Sequence, residues 1–210
     1  MPPKTAPFDR HLDRYEEWFT RHKQAYRSEL EAVRAMLPAG GRGVEIGVGT
    51  GRFAAPLGLK IGLEPSPAMG QVARERGIEV IEGVAEALPF ADGCFDFALM
   101  VTTVCFVDDI ERSFKEALRV LKPAGAFIIG FIDRKSPLGK IYQQHKAENV
   151  FYRLARFYST TEIVAHLEEA GFSAFSFSQT IFQNPDEMSE VEPVKEGYGE
   201  GSFVVVRALK

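Results

Sequence analysis

The sequence predicts an α/β fold in which a mostly parallel sheet carries helices on both faces. From Gly40 onward, short apolar runs alternate with helical patterns, the order typical of parallel strand–helix–strand units. Glycines cluster directly after the first of these runs, at Gly47, Gly49 and Gly51. The last two apolar runs have no helix between them, so we expect a hairpin that makes the final strand antiparallel.

The composition is that of one ordinary globular domain. The chain has 210 residues, 45% hydrophobic and 26% charged, which excludes a disordered chain. A net charge of −4 gives no general attraction for nucleic acid. No apolar run approaches the roughly 20 residues that span a bilayer, and the amino terminus lacks the apolar segment of a secretory signal. With two cysteines nothing indicates an oxidising compartment, so a cytoplasmic protein is predicted. No oligomeric state is predicted.

We expect two parts in the chain. Residues 1–39 are predicted to be an N-terminal helical extension over the functional site, with 8–36 as one helix. Residues 40–210 form the main domain, with a helical insert at 134–158. The extension carries an aromatic stripe at steps of three and four, which is more typical of packing than of binding: Tyr15, Trp18, Phe19, His22 and Tyr26.

Seven strands and several capped helices follow from the local patterns. The predicted strands are 44–48, 59–64, 78–83, 94–104, 126–132, 172–182 and 202–209. Ser66 is a predicted N-cap. Capping boxes are expected at Asp108 with Glu111 and at Ser159 with Glu162.

The glycine-rich turn is the first sign of chemistry. A turn of this kind after a strand lets a ligand approach backbone N–H groups closely. Its spacing is G-x-G-x-G, whereas the dinucleotide fingerprint is G-x-G-x-x-G. Glu45 precedes the first glycine, and as a buried acid it fits a ligand that brings a positive group. Glu64 follows Gly47 by 17 positions, where a carboxylate can accept both hydroxyls of a ribose. A nucleoside with a cationic amino-acid tail and no pyrophosphate describes S-adenosylmethionine (SAM).

Four stretches of the chain resemble one family, the class I SAM-dependent methyltransferases. They are VEIGVGTGRF (44–53), GLEPSPAM (62–69), GVAEALPFADGCFDFALM (83–100) and EALRVLKPAGAFII (116–129). The chain is most similar to small bacterial members related to the ubiquinone and menaquinone biosynthesis methyltransferases. The resemblance implies a Rossmann-like seven-stranded sheet and SAM as the cofactor.

The resemblance also implies a role for each cofactor residue. The loop at Gly47, Gly49 and Gly51 wraps the methionine part, and Glu64 takes the ribose. Further contacts are implied at the adenine for Pro65, Met69, Ala85 and Glu86, and at the methionine end for Thr102. The chain departs from the family in two places. Val84 stands where an adenine-binding Asp is usual, and Cys105 and Phe106 stand where many relatives carry two histidines.

Methyl transfer from a sulfonium needs in-line positioning and exclusion of water more than it needs a base. No histidine shows a metal-type spacing with cysteine or acid, so no metal site is predicted. The candidates for a base are His145, Tyr142 and Tyr15. The candidates for acceptor binding are Tyr15, Trp18, Phe19, Phe106, Tyr142 and Tyr158.

The acceptor is predicted to be a small molecule, planar or anionic. The insert carries six basic residues against one acid, and it also carries aromatic residues. Two alternatives remain open at this point. One is a non-catalytic module that binds SAM or another nucleoside, and the other, less favoured because of the glycine spacing, is an NAD-dependent oxidoreductase.

Overall fold

The computed structural model describes residues 4–210. Its helices are α1 (Ala6–Arg10), α2 (Leu12–Arg21), α3 (Lys23–Met36), α4 (Ala54–Leu57), α5 (Pro67–Glu75), α6 (Ile110–Val120), α7 (Pro137–Gln144) and α8 (Thr160–Ala170). Its strands are β1 (Gly43–Ile46), β2 (Ile61–Leu63), β3 (Glu79–Ile81), β4 (Phe95–Val101), β5 (Leu121–Ile132), β6 (Ser173–Thr180), β7 (Lys195–Glu196) and β8 (Phe203–Leu209). No helix in residues 4–210 is both long and apolar enough to cross a bilayer.

The strands form one sheet in the order β3-β2-β1-β4-β5-β8-β6-β7. The first five of these strands are mutually parallel, whereas β8 runs antiparallel to both β5 and β6. The predicted fold class and the antiparallel last strand are therefore confirmed. The sheet has one strand more than expected, because Lys195 and Glu196 pair with β6 at the edge. Two residues are too few to show a strand periodicity in sequence.

Helices cover both faces of the sheet, as predicted. On one face, α6 and α8 bury residues such as Phe114 and Leu167 against β4, β5 and β8. On the other face, α3 and α5 pack Val33 and Ala73 against the opposite side chains of the same strands. This alternation of strand side chains between two cores is what a two-sided parallel sheet requires.

The amino-terminal extension is three helices, where the sequence predicted one. The breaks fall at His11 (φ −127°, ψ 36°) and His22 (φ −103°, ψ 46°). At the second break the His22 imidazole bonds with the Trp18 carbonyl (3.2 Å) and the Asp186 carboxylate (2.9 Å). The aromatic stripe from Tyr15 to Tyr26 continues across the second break, so the sequence pattern does not reveal it.

Two of the predicted helix starts are confirmed. The Ser66 hydroxyl accepts from the Met69 N–H (3.2 Å) at the start of α5. At α8, Glu162 accepts from the Ser159 N–H (2.8 Å) and completes the capping box.

The predicted start of α6 is one residue early. Asp109 is the N-cap and accepts from the Arg112 N–H (3.0 Å). The Asp108 carboxylate instead pairs with Lys4 at 2.8 Å. The local pattern predicts that the Asp108 side chain caps α6, but this side chain forms an ion pair with Lys4 instead.

Candidate active site

A cavity of about 330 Å³ lies at the carboxyl ends of β1, β2 and β4. In an open parallel sheet this edge is where ligands bind, and the volume is within the range of small-molecule pockets. Eight of the ten predicted cofactor residues line it: Gly47, Gly49, Glu64, Pro65, Met69, Ala85, Glu86 and Thr102.

The glycine loop forms one wall of this cavity. Gly47 (φ 74°) and Gly49 (φ 54°) both adopt left-handed backbone conformations. A Cβ on Gly47 would lie 2.3 Å from the Cγ2 of Thr103, so no larger residue fits there. The Thr103 hydroxyl, which the sequence did not single out, donates to the Gly47 carbonyl at 3.1 Å.

Glu64, at the end of β2, lies directly against this loop with only 8% of its surface exposed. Its two oxygens accept from the N–H groups of Gly49 (2.8 Å) and Ser66 (2.9 Å). Burial raises the pKa of Glu64 to about 7, although the two N–H donors oppose this rise. Each carboxylate oxygen keeps a further lone pair, so the group can also accept from two ligand hydroxyls.

A second cavity of about 490 Å³ adjoins the first. Phe8, Tyr15, Thr102 and Phe106 line both cavities. Thr102 has a φ of 51°, a conformation that is costly for a β-branched residue and is found mostly at functional sites. Two ligands bound in these cavities would therefore meet at Thr102.

Comparison with known proteins identifies the family. The family profile described as "Methyltransferase domain" matches residues 44–129. A Thermotoga maritima protein described as "SAM-dependent methyltransferase, possible histamine N-methyltransferase" is 57% identical over 98% of this chain and 99% of that chain, and the structures superpose with a TM-score of 0.96. The chain belongs to the SAM-dependent methyltransferases. Its cofactor is therefore SAM, and the NAD-dependent oxidoreductase alternative is wrong.

Two further relatives show how far the likeness extends. A Methanocaldococcus jannaschii protein of unassigned activity is 47% identical over 203 residues, which is 97% of this methyltransferase and 98% of that protein. The demethylmenaquinone methyltransferase of Chlorobaculum tepidum is 35% identical over 157 residues, 70% of this chain and 62% of that protein.

Glu45 and Gly51 do not line the cofactor cavity of the methyltransferase. Burial raises the pKa of Glu45 well above its usual range, and the Ala54 N–H at the start of α4 opposes this. Gly51 (φ 81°) packs against α5, where an added Cβ would lie 3.4 Å from the Ala73 Cα. Both residues therefore lie outside the lining of the cavity. The sequence motif does not distinguish this position from direct contact with the cofactor.

The loop after β3 contributes Val84, Ala85 and Glu86 to the cofactor cavity, and none of them is a free acidic side chain. Val84 lines the cavity with an apolar side chain. Glu86 accepts from the N–H groups of Asp108 (2.7 Å) and Asp109 (3.2 Å), so it caps the approach to α6. Several other residues line the cofactor cavity but were not predicted from the sequence, because they come from separate elements: Lys4, Thr5, Phe8, Thr103, Asp109 and Arg112.

The predicted acceptor residues divide into two groups. Five of them line the second cavity, which we call the acceptor cavity: Tyr15, Trp18, Phe19, Phe106 and Tyr142. Tyr158 does not, because it is buried in the core beneath α8, with its ring 6.0 Å from that of His166. The residues that precede it in the sequence, Arg156 and Phe157, do not indicate that Tyr158 points into the core.

None of the three base candidates is suited to accept a proton. His145 is exposed and lines neither cavity. Tyr15 and Tyr142 line the acceptor cavity, but burial raises the pKa of each hydroxyl above its usual value of 10. Both phenols therefore stay protonated at neutral pH.

Glu29 on α3 is a buried acidic residue of the acceptor cavity that the sequence did not single out. It is 5% exposed, and burial raises the pKa of its carboxyl to about 8. It lies three positions after Tyr26 and so continues the aromatic stripe, which is the one signal that could have revealed it.

The basic residues of the insert lie outside both cavities. None of the six lines either one: Arg134, Lys135, Lys140, Lys146, Arg153 and Arg156. The insert contributes Leu138, Ile141, Tyr142, Phe151 and Tyr152 to the acceptor cavity instead. Its placement does not support attraction of an anionic acceptor.

The amino-terminal extension is fastened to the glycine loop by Glu16. Its carboxylate accepts from the Thr50 hydroxyl (2.5 Å) and from Arg76 (2.6 Å), and it pairs with Arg52. Burial alone would raise the pKa of Glu16, but the hydrogen bonds from Arg76 and Arg52 outweigh it and hold the pKa at about 2. Asp9 adds a second link by accepting from the Ser66 hydroxyl at 2.5 Å.

One histidine has acidic neighbours that the sequence spacing did not show. Packing of α6 against α8 brings His166 together with Glu111 and Glu169, with their ligand atoms within 4.8 Å of one another. Both glutamates are exposed, and none of the three residues lines either cavity. Exposed groups of this kind are common without a metal, so no metal role is assigned.

Proposed function

We propose that the protein transfers a methyl group from SAM, by in-line displacement, to a small-molecule acceptor held in the acceptor cavity. The observation that carries this proposal is the junction of the two cavities at Phe8, Tyr15, Thr102 and Phe106. A donor in one cavity and an acceptor in the other are thereby held as near neighbours, and this positioning supplies much of what the reaction needs.

The residues of the first cavity fit SAM. Glu64 would accept from the ribose hydroxyls, and the narrow approach at Gly47 and Gly49 would take the methionine part. Pro65 and Met69 would flank the adenine. When bound, SAM supplies a methyl group on a positively charged sulfur; the acceptor's lone pair forms the new bond to carbon, and the electrons of the broken carbon–sulfur bond stay on sulfur.

Aromatic side chains at the junction would exclude water. The Phe8 ring meets the Phe106 ring edge-on, with centroids 5.1 Å apart, and lies 5.2 Å from the Phe151 ring. In our proposal, residues 4–39 and the insert 134–158 thus serve as covers of a main domain at 40–210, and residues 1–3 of the predicted extension lie outside the described residues. The cover keeps solvent from the sulfonium face, which raises the strength of every polar contact inside.

The relatives do not by themselves decide the acceptor. The names of the T. maritima and C. tepidum proteins refer to histamine and to demethylmenaquinone, each of which contains a planar ring. The aromatic walls of the acceptor cavity suit such a ring. A cytoplasmic location is part of the same proposal and is supported by the composition.

The test is turnover with methyl-labelled SAM and a panel of planar amines, phenols, quinols, thiols and carboxylates. Label is expected in at least one acceptor, with formation of the demethylated cofactor in equal amount. A Phe106→Ala variant should lose transfer while still binding SAM by calorimetry. If SAM binds but no acceptor in any class is labelled, the non-catalytic binding module replaces this proposal.

A further inference from the structure

A buried carboxylate faces the acceptor cavity without a partner. Glu29 lines that cavity and is 5% exposed. Among residues 4–210, no group donates a hydrogen bond to its carboxylate and no cation pairs with it. A carboxylate in such a place costs free energy unless something satisfies it. Burial is the whole cause of its raised pKa, so the fold supplies no compensating charge.

The walls around Glu29 are aromatic. Trp18 and the pair Tyr142 and Tyr152, whose rings are tilted by 34° with centroids 4.9 Å apart, line the same cavity. Both tyrosines line the same cavity as Glu29, and burial, with a smaller contribution from the charge of Glu29, raises the pKa of both hydroxyls. Aromatic faces attract cations, and a carboxylate beside them strengthens that preference.

Four of the other charged groups of this cavity are paired with one another within the described part of the chain. Arg21 pairs with Glu17 at 3.4 Å, and the His22 imidazole lies 2.9 Å from the Asp186 carboxylate. Arg14 is exposed at the rim. The titratable and charged groups that line the cavity with Glu29 are, in full, Arg14, Tyr15, Glu17, Arg21, His22, Tyr142, Tyr152 and Asp186.

We propose that the methyl acceptor is a planar aromatic amine and that the Glu29 carboxylate binds its ammonium group. This rests on the proposed function and names its substrate class. A nitrogen held as an ammonium has no free lone pair, so Glu29 positions the acceptor and the methyl group goes to a different atom of the same molecule. This acceptor is planar, as predicted from the sequence. It carries a positive charge, whereas the sequence predicted a planar or anionic molecule.

Trp18 makes this proposal testable without turnover, because it is the only tryptophan of the chain and lines the same cavity. The full-length protein, saturated with the demethylated cofactor at pH 8, is titrated with 2-phenylethylamine, 2-phenylethanol and 3-phenylpropionate while Trp18 fluorescence is recorded. The amine is expected to bind at least tenfold more tightly than the alcohol, and the carboxylate least tightly. An amine that binds no better than the alcohol overturns the proposal, and this comparison needs no variant.

Glu29→Gln identifies the responsible residue. It should weaken amine binding about tenfold or more and leave alcohol binding unchanged. Glu31→Gln is the matched control, because Glu31 is exposed on the same helix and pairs with Arg34; it should change neither. Equal weakening of amine and alcohol in Glu29→Gln would show a merely structural role and contradict the proposal.

The pH dependence of amine binding is a second test of the role of Glu29. Because burial raises the pKa of Glu29 to about 8, an ammonium that binds at lower pH must displace a proton. Amine affinity should therefore rise from pH 6 to pH 8 by up to about tenfold per unit, and this rise should vanish in Glu29→Gln. A rise that persists in that variant would show that another group causes it and would overturn the proposal.

The two proposals fail in different ways. Amine binding that depends on Glu29, without methyl transfer to any acceptor, contradicts the proposed function alone. Methyl transfer to a phenol or quinol, with no preference for amines in the fluorescence titration, contradicts the Glu29 proposal alone.

Discussion

Glu64 combines burial with availability to a ligand. Two backbone N–H donors hold its oxygens at 2.8 and 2.9 Å, which fixes the carboxylate at the cavity wall. Burial nevertheless raises its pKa to about 7, so the ionised form is only partly secured in the protein without ligand. Hydroxyl groups of the cofactor would add the donors that favour ionisation.

Glu64→Gln should weaken SAM binding without unfolding the protein. The variant loses the charge-assisted hydrogen bonds that the carboxylate would accept from the ribose hydroxyls. Their loss should cost about 1.5–3 kcal/mol of binding free energy, which corresponds to roughly 10- to 150-fold in affinity. Calorimetric titration with SAM measures this. Glu79→Gln, a change at an exposed residue of β3, is the control and should bind as the native protein does. Unchanged affinity in Glu64→Gln would mean that Glu64 is not the ribose ligand.

The same carboxylate predicts how SAM affinity varies with pH. Protonation of Glu64 competes with its role as an acceptor, and its raised pKa lies near 7. SAM affinity should therefore fall as the pH drops from 8 to 6, approaching tenfold per unit below pH 7. Glu64→Gln should show no such fall. Titrations at pH 6, 7 and 8 provide the comparison.

At the scale of elements, Glu16 links α2 to the glycine loop. Glu16 bonds with Thr50, Arg52 and Arg76, so one side chain joins the amino-terminal cover to the loop and to the end of α5. The cofactor cavity lies beneath Phe8 and Tyr15 of that cover. Entry and exit of the cofactor are therefore expected to require this link to open.

Glu16→Gln should lower the melting temperature at pH 7. The group is partly solvated, so we expect a loss of about 1–2 kcal/mol, or roughly 2–8 °C. Because the folded pKa of about 2 lies below the usual 4.5, this stabilisation is present above pH 4.5 and is lost as the pH falls towards 2. The difference between native and variant should shrink accordingly.

Glu17→Gln is the matched control for this experiment. Glu17 is the next residue of the same helix, and it is exposed, with one ion pair to Arg21 at 3.4 Å. Surface pairs of this kind contribute little, so the variant should melt within about 2 °C of the native protein. Equal effects of the two substitutions would show that Glu16 does not fasten the cover.

At the scale of the whole molecule, binding between the glycine loop, β2 and the cover should stabilise the fold as one unit. A ligand at about 100 times its dissociation constant adds roughly 2.7 kcal/mol. For a domain of this size SAM and its demethylated product should each raise the melting temperature by roughly 5–11 °C. NADH is the control and should leave it unchanged. A shift with NADH and none with SAM would contradict the cofactor assignment.

The parts of the fold and site that the sequence predicted are those governed by neighbours along the chain. The alternation of strands and helices, the caps at Ser66 and Ser159, and the glycine loop with its partner Glu64 all follow from local patterns. Turn geometry, capping and strand burial depend on residues close together in the chain. The local sequence is therefore enough to predict them. The family resemblance concentrates in the same stretches, which is why the cofactor could be predicted and the acceptor could not.

Tertiary packing decided what the acceptor cavity contains. Tyr158 and Tyr142 look alike in sequence, yet one packs in the core and the other lines the cavity. Glu29 reads as an ordinary helical acid until the extension, α3 and the insert close around it. Whether such a side chain is buried or exposed depends on which distant elements pack against it. The helix breaks at His11 and His22 determine how the extension packs. Burial, and with it the charge state of Glu29, is a property of the assembled molecule because solvent is excluded by residues far apart in the chain.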